Sequence, residues 1–83
     1  MSDLACARQE LLWKHGFEAM DRFTHQYWQG PMPDPQRQAL WDIYSGFAAY
    51  RYMGGWGLAP QLIEHMRVMT RQLVAQARDL LLD

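Results

Sequence analysis

Residues Trp41–Leu58, WDIYSGFAAYRYMGGWGL, decide how this chain must be built. The stretch holds six of the eleven aromatic residues and two charged ones, Asp42 and Arg51. It reads as a helix that is apolar nearly all round, ending in the run Gly54-Gly55-Trp56-Gly57. A helix of that kind is stable only when neighbouring elements or a partner cover it. Projected at about 100° per residue, Ala39, Leu40, Ile43, Phe47 and Tyr50 share one face, with Tyr44 at its edge. We expect that face to be core. Trp41, Ala48 and Tyr52 occupy the far side, and Gln38, Asp42 and Ser45 form a narrow polar sector.

Upstream, Gly30-Pro31-Met32-Pro33-Asp34-Pro35 is a firm stop. Glycine suits a left-handed position after a helix, and three prolines in five residues forbid helix. Asp34 then caps the next helix with Pro35 in its first turn, so that helix spans about 35–53. Before the stop, no strong breaker interrupts residues 3–29, and Gly16 is the only soft spot. One long helix of roughly 40 Å is expected there, with Ser2 as its N-cap. Cys6, Gln9, Trp13, Phe17, Met20, Thr24 and Tyr27 share one side of it, widened by Leu12, Gly16, Ala19 and Phe23. Glu10, Lys14, Glu18 and Arg22 make a solvated face of alternating charge. Leu4 and Leu11 project onto that polar side and hint at a second contact.

Downstream, Pro60 opens a helix over about 60–82. Leu62, Met66, Met69, Leu73, Ala77 and Leu80 form its seam, with spacing that alternates three and four, as antiparallel helix packing requires. Val68 and Leu82 lie off the seam. No stretch alternates with period two, and no hairpin signal occurs.

With 83 residues, a single domain over 1–83 is expected, and its core is small. The formal charge of −1, from eight basic and nine acidic residues, gives no electrostatic footprint for nucleic acid or an anionic membrane. A lone cysteine, Cys6, excludes an internal disulfide framework and suits a reducing compartment. The N-terminus lacks the basic and apolar regions of a signal peptide, and no run is apolar enough to span a bilayer. A cytoplasmic location is expected. The initial Met suggests a complete small protein.

Few residues are arranged for chemistry. His15 with Glu18, and Asp21 with His25, have spacings that clip a metal ion, but a site needs three or four converging ligands. The reading is exposed histidines in ion pairs. Cys6 is read as a small core residue with no base beside it. The glycines after Met53 lack the lysine and hydroxyl residue of a phosphate loop and make a tight connection, with Trp56 plugging one end of the core. Arg67, Arg71 and Arg78 share a stripe with Glu64, which reads as a solvated face. If that stripe is functional, an acidic protein partner suits it better than nucleic acid. No catalysis, cofactor or metal is expected.

The expectation is an all-α fold: a three-helix bundle of antiparallel helical hairpins, with long first and third helices whose overhang favours a homodimer. Its expected role is a small protein-binding regulator that inhibits or adapts a larger protein, for example an anti-activator of a transcription factor. Apolar and aromatic residues off the main seams, Leu4, Leu11, Trp41, Tyr52 and Trp56, are the expected anchors, because large aromatics dominate interface energetics. The alternatives are a small-molecule or haem-binding helical bundle and a small DNA-binding module.

Overall fold

The computed structural model describes residues 2–82, and everything in it is helix or connection. There are four α-helices among the described residues: α1 (Ser2–His15), α2 (Phe17–Trp28), α3 (Pro35–Tyr52) and α4 (Pro60–Leu82). A single 3-10 turn, Met53–Gly55, follows α3. The envelope measures 36 × 25 × 18 Å. The capping role expected of Ser2 rests on a side chain outside the described residues.

The expected long first helix is instead two helices, hinged at one residue. Gly16 adopts φ 92° and ψ −179°, a conformation open to glycine alone. Its amide still donates to Leu12 O (3.0 Å) and its carbonyl accepts from Met20 N (3.2 Å), so one helix ends and the next begins without a loop. The chain folds back on itself. Arg8 and Thr24 would stand about 24 Å apart on a straight helix, yet Arg8 Nη1 donates to Thr24 Oγ1 at 2.6 Å. The physical reason is core formation: the fold-back lets Leu12 of α1 and Met20 of α2 meet Leu73 of α4 in one buried cluster, flanked by Phe17 and Met69. A straight helix would have held the first two apart. Nothing lies within 4 Å of a Cβ built on Gly16. Gly16→Ala is therefore expected to cost about 1–3 kcal/mol from backbone strain alone, read as a lowered thermal midpoint by circular dichroism. An unchanged midpoint would show that the corner does not need glycine.

The second stop is built largely as its residues dictate, with one shift. The left-handed residue ending α2 is Gln29 (φ 57°), and Gly30 follows at φ 150°. Gly30 N donates to His25 O at 3.0 Å. Asp34 then caps α3, its side chain accepting from Arg37 N at 3.0 Å, with Pro35 in the first turn.

α3 and α4 run antiparallel. Gly46 lies against Val74, and Tyr50 Oη accepts from Arg71 Nη1 at 3.1 Å. A second buried cluster closes this hairpin, with Ala49, Met53 and Met66 at its centre and Trp13, Leu58 and Ile63 around them. Trp13 ties α1 to α4, donating from Nε1 to Thr70 Oγ1 at 2.9 Å. The α4 seam is centred where its spacing places it at Met66, Leu73 and Ala77, with Thr70 fully buried between them while Met69 is half-buried. Its ends differ from expectation, since Leu62 and Leu80 are exposed. Cys6 is exposed and is not a core residue. No helix among the described residues is long and apolar enough to cross a membrane.

Candidate docking face

α3 is rotated about its axis from the orientation its apolar residues suggest. Its buried residues are Gln38, Ala39, Asp42, Gly46 and Ala49, with Met53 just beyond. This surface is small or polar, and two members of the expected polar sector, Gln38 and Asp42, point inward. The expected core residues Leu40, Tyr44 and Phe47 are 58%, 69% and 66% exposed. The helix is turned by about 100°, one residue's step.

Two interactions outweigh the larger apolar side chains. The first is close helix approach. A Cβ on Gly46 would lie 2.7 Å from Val74 Cγ2 and 3.4 Å from Thr70 Cγ2. With Ala39 and Ala49 on the same face, the two backbones come nearer than Leu or Phe would allow. The second is a buried ion pair. Arg8 Nε donates to Asp42 Oδ1 (3.2 Å) and Arg8 Nη2 to Asp42 Oδ2 (2.9 Å). Gln38 Nε2 adds a third bond to the same carboxylate, donating to Oδ1 at 3.0 Å. Thr24 Oγ1 accepts from Arg8 and donates to Met20 O at 2.9 Å. A planar guanidinium held in this way ties α1, α2 and α3 together.

The outcome is an exposed apolar stripe. Leu40, Tyr44 and Phe47 follow one another at i, i+4 and i+7, on one line of the helix. Trp41 is half-buried and packs edge-on to Tyr44, ring centroids 6.0 Å apart. Beside the stripe, a groove of about 340 Å³ runs between α3 and α4, lined by Gly46, Phe47, Tyr50, Thr70, Val74 and Ala75, with Arg71 and Arg78 on its α4 side. Phe47 belongs to both. Tyr50 is clamped in place: Arg67 lies over its ring at 5.2 Å and Arg71 at 6.0 Å.

Charge is distributed unevenly around this face. α3 and α4 carry Arg37, Arg51, Arg67, Arg71 and Arg78 against two exposed acids, Glu64 and Asp79, because Asp42 is buried with Arg8. The exposed charges of α1 and α2 lean the other way: Asp3, Glu10, Glu18 and Asp21 against Lys14 and Arg22. A net charge of −1 conceals this polarity.

The anchors expected from sequence fall in different places. Leu4 is 3% exposed, buried within the subunit rather than on the polar side, so it offers no surface to a partner. Leu11 is half-buried. Tyr52 is 59% exposed beneath Arg51, whose guanidinium carbon lies 5.4 Å from the ring centre. Trp56 is 48% exposed and tilted against Trp13 at 6.0 Å, shielding one end of the second cluster rather than plugging it. Leu40, Tyr44 and Phe47, expected to face inward, face outward instead. The spacing of Ala39, Gly46 and Met53 at intervals of seven carried the signal of a close-packed seam.

A second cavity, also about 340 Å³, opens on the other side of α3. Arg8, Thr24, Gln38 and Asp42 line it together with Met20, Leu73 and the rim residues Asp21 and His25. Gln38 Oε1 is buried with no hydrogen-bond partner among the described residues. No three His, Cys, Asp or Glu side chains gather as a metal-ligand set among the described residues. His65 is engaged elsewhere, its Nε2 3.0 Å from Trp13 O.

No family model, curated protein or solved structure matches this chain.

Proposed function

We propose that this protein is a small helical binding module that regulates a larger protein by docking a helical segment of it against α3 and the α3–α4 groove. The observation that carries this reading is the stripe Leu40, Tyr44 and Phe47, more than half exposed on a helix whose small residues face the core. Full burial of side chains of this size stabilises a complex by roughly 1.5–3 kcal/mol each before association costs. Large side chains in a row at i, i+4 and i+7 match a partner helix laid along them. The regulatory consequence is occlusion: a segment held here is unavailable to its own dimerisation or ligand-binding surface, the behaviour of an anti-activator or an adaptor.

The test separates docking from folding. Tyr44→Ala with Phe47→Ala removes two exposed rings, and its thermal midpoint is expected to stay within a few degrees of wild type, since exposed substitutions usually change stability by under about 0.5 kcal/mol. Affinity capture from the source cell lysate is then compared between this variant and wild type. The expected result is a stoichiometric protein retained by wild type and lost by the variant. Identical captured proteins for both would overturn the proposal.

A further inference from the structure

We infer that the occupant of this face is an acidic amphipathic helix: apolar residues at i, i+3 or i+4 and i+7, bordered by Asp and Glu. This rests on the docking face proposed above and adds the chemistry of its partner. The inference comes from what surrounds the stripe. Arg37, Leu40, Tyr44, Phe47 and Arg51 lie on one line of α3, so an arginine stands at each end of the apolar run. Both arginines are exposed, and among the described residues neither has a carboxylate partner. Across the groove, Arg71 and Arg78 supply a second basic edge. Arg71 is only loosely compensated, 4.0 Å from Glu64, while Arg78 reaches its neighbour Asp79 at 3.2 Å. Among the described residues no acidic side chain lines the groove.

Charge argues against a second copy of this chain using the same stripe. Antiparallel pairing of α3 with α3 sets Arg37 against Arg51 at both ends, and parallel pairing sets each arginine against its own equivalent. Like charges brought together disfavour such a complex. A partner helix with carboxylates at its borders meets four guanidiniums at the edges of an apolar track. Arginine's planar fork suits bidentate carboxylate recognition there. Nucleic acid is less well matched, because its phosphates would leave Leu40, Tyr44 and Phe47 unburied.

The experiment is a display selection on the immobilised full chain. A library of about 18-residue helical peptides, randomised in the apolar and bordering positions, is panned on wild type and counter-selected on Phe47→Ala. The enriched peptides are expected to carry Asp or Glu beside the apolar positions. The best of them, synthesised as the probe, is expected to bind Arg71→Glu with Arg78→Glu at least about tenfold more weakly and to lose affinity with added salt. Neutral or basic enriched peptides, or an affinity unchanged by the arginine reversals, would overturn the acidic partner and leave the docking face standing. Absence of any enrichment that depends on Phe47 would overturn the docking face itself. A sedimentation profile showing dimers that Phe47→Ala dissolves would also overturn the inference, in favour of self-association.

Discussion

Asp42→Ala is expected to destabilise the protein by about 3–5 kcal/mol, because it leaves the Arg8 guanidinium buried without its counter-charge. Both side chains are nearly inaccessible, 7% and 5% exposed. The same substitution removes the acceptor for Gln38 Nε2, and because Gln38 Oε1 is already unpaired among the described residues, both ends of this one buried amide are left without partners. At the usual 0.05–0.15 kcal/mol per residue, a chain of 83 residues has a total stability of about 4–12 kcal/mol. The variant is therefore expected to be largely unfolded, or to melt more than about 15 °C below wild type. The mechanism makes a second demand. Arg8→Met together with Asp42→Leu removes both charges and is expected to recover most of the loss, since buried pairs often contribute little beyond an apolar replacement. Urea melts of the two single variants and the double variant measure this coupling. A cost below about 1 kcal/mol for Asp42→Ala would show that the pair is not buried in solution.

Gly46→Val is the second large effect, expected to cost about 3 kcal/mol. The first added carbon already falls 2.7 Å from Val74 Cγ2, and Val74 is β-branched and stiff, so it does not rotate away cheaply. Thr70 Cγ2 stands at 3.4 Å on the same side, and the Thr70 hydroxyl is committed to Met66 O and to Trp13. Forcing α3 from α4 would therefore strain the Trp13 anchor as well as the hairpin. Gly46→Ala regains about 1 kcal/mol of helix propensity against its clash, so it is expected to sit well above Gly46→Val in stability. Val74→Ala combined with Gly46→Ala removes the colliding methyl and is expected to rescue the variant. Thermal melts of the series check this. If Gly46→Val melts with wild type, α3 and α4 are not in close contact at this point.

The Asp34-Pro35 and Pro60 starts are legible in the sequence because they depend on local backbone chemistry, on a capping carboxylate and on the fixed φ of proline. The seam of α4 was readable because one apolar line met one core. Gly16 is a soft spot in the sequence, but a glycine permits a corner without requiring one. The choice between a straight helix and a hairpin depended on Leu12 and Met20 reaching Leu73, a contact between residues 53 or more positions apart. Periodicity contains no information at that range.

The face of α3 shows the same limit in sharper form. Side-chain size alone points to the largest apolar residues of α3 as its core face. Gly46, Ala39 and Ala49 instead gained close contact with α4, and Asp42 gained a fourfold hydrogen-bonded cluster with Arg8, Thr24 and Gln38. The outward position of Leu40, Tyr44 and Phe47, and the arginines around them, came as a consequence. By itself, the sequence determined that this chain is helical, where three of its helices begin and that it has more aromatic surface than so small a core can hold. Only the tertiary structure decided which aromatics remain outside. That outcome is set by a backbone approach and a buried ion pair between α1 and α3, residues 34 apart in the chain, and neither leaves a periodic trace along it.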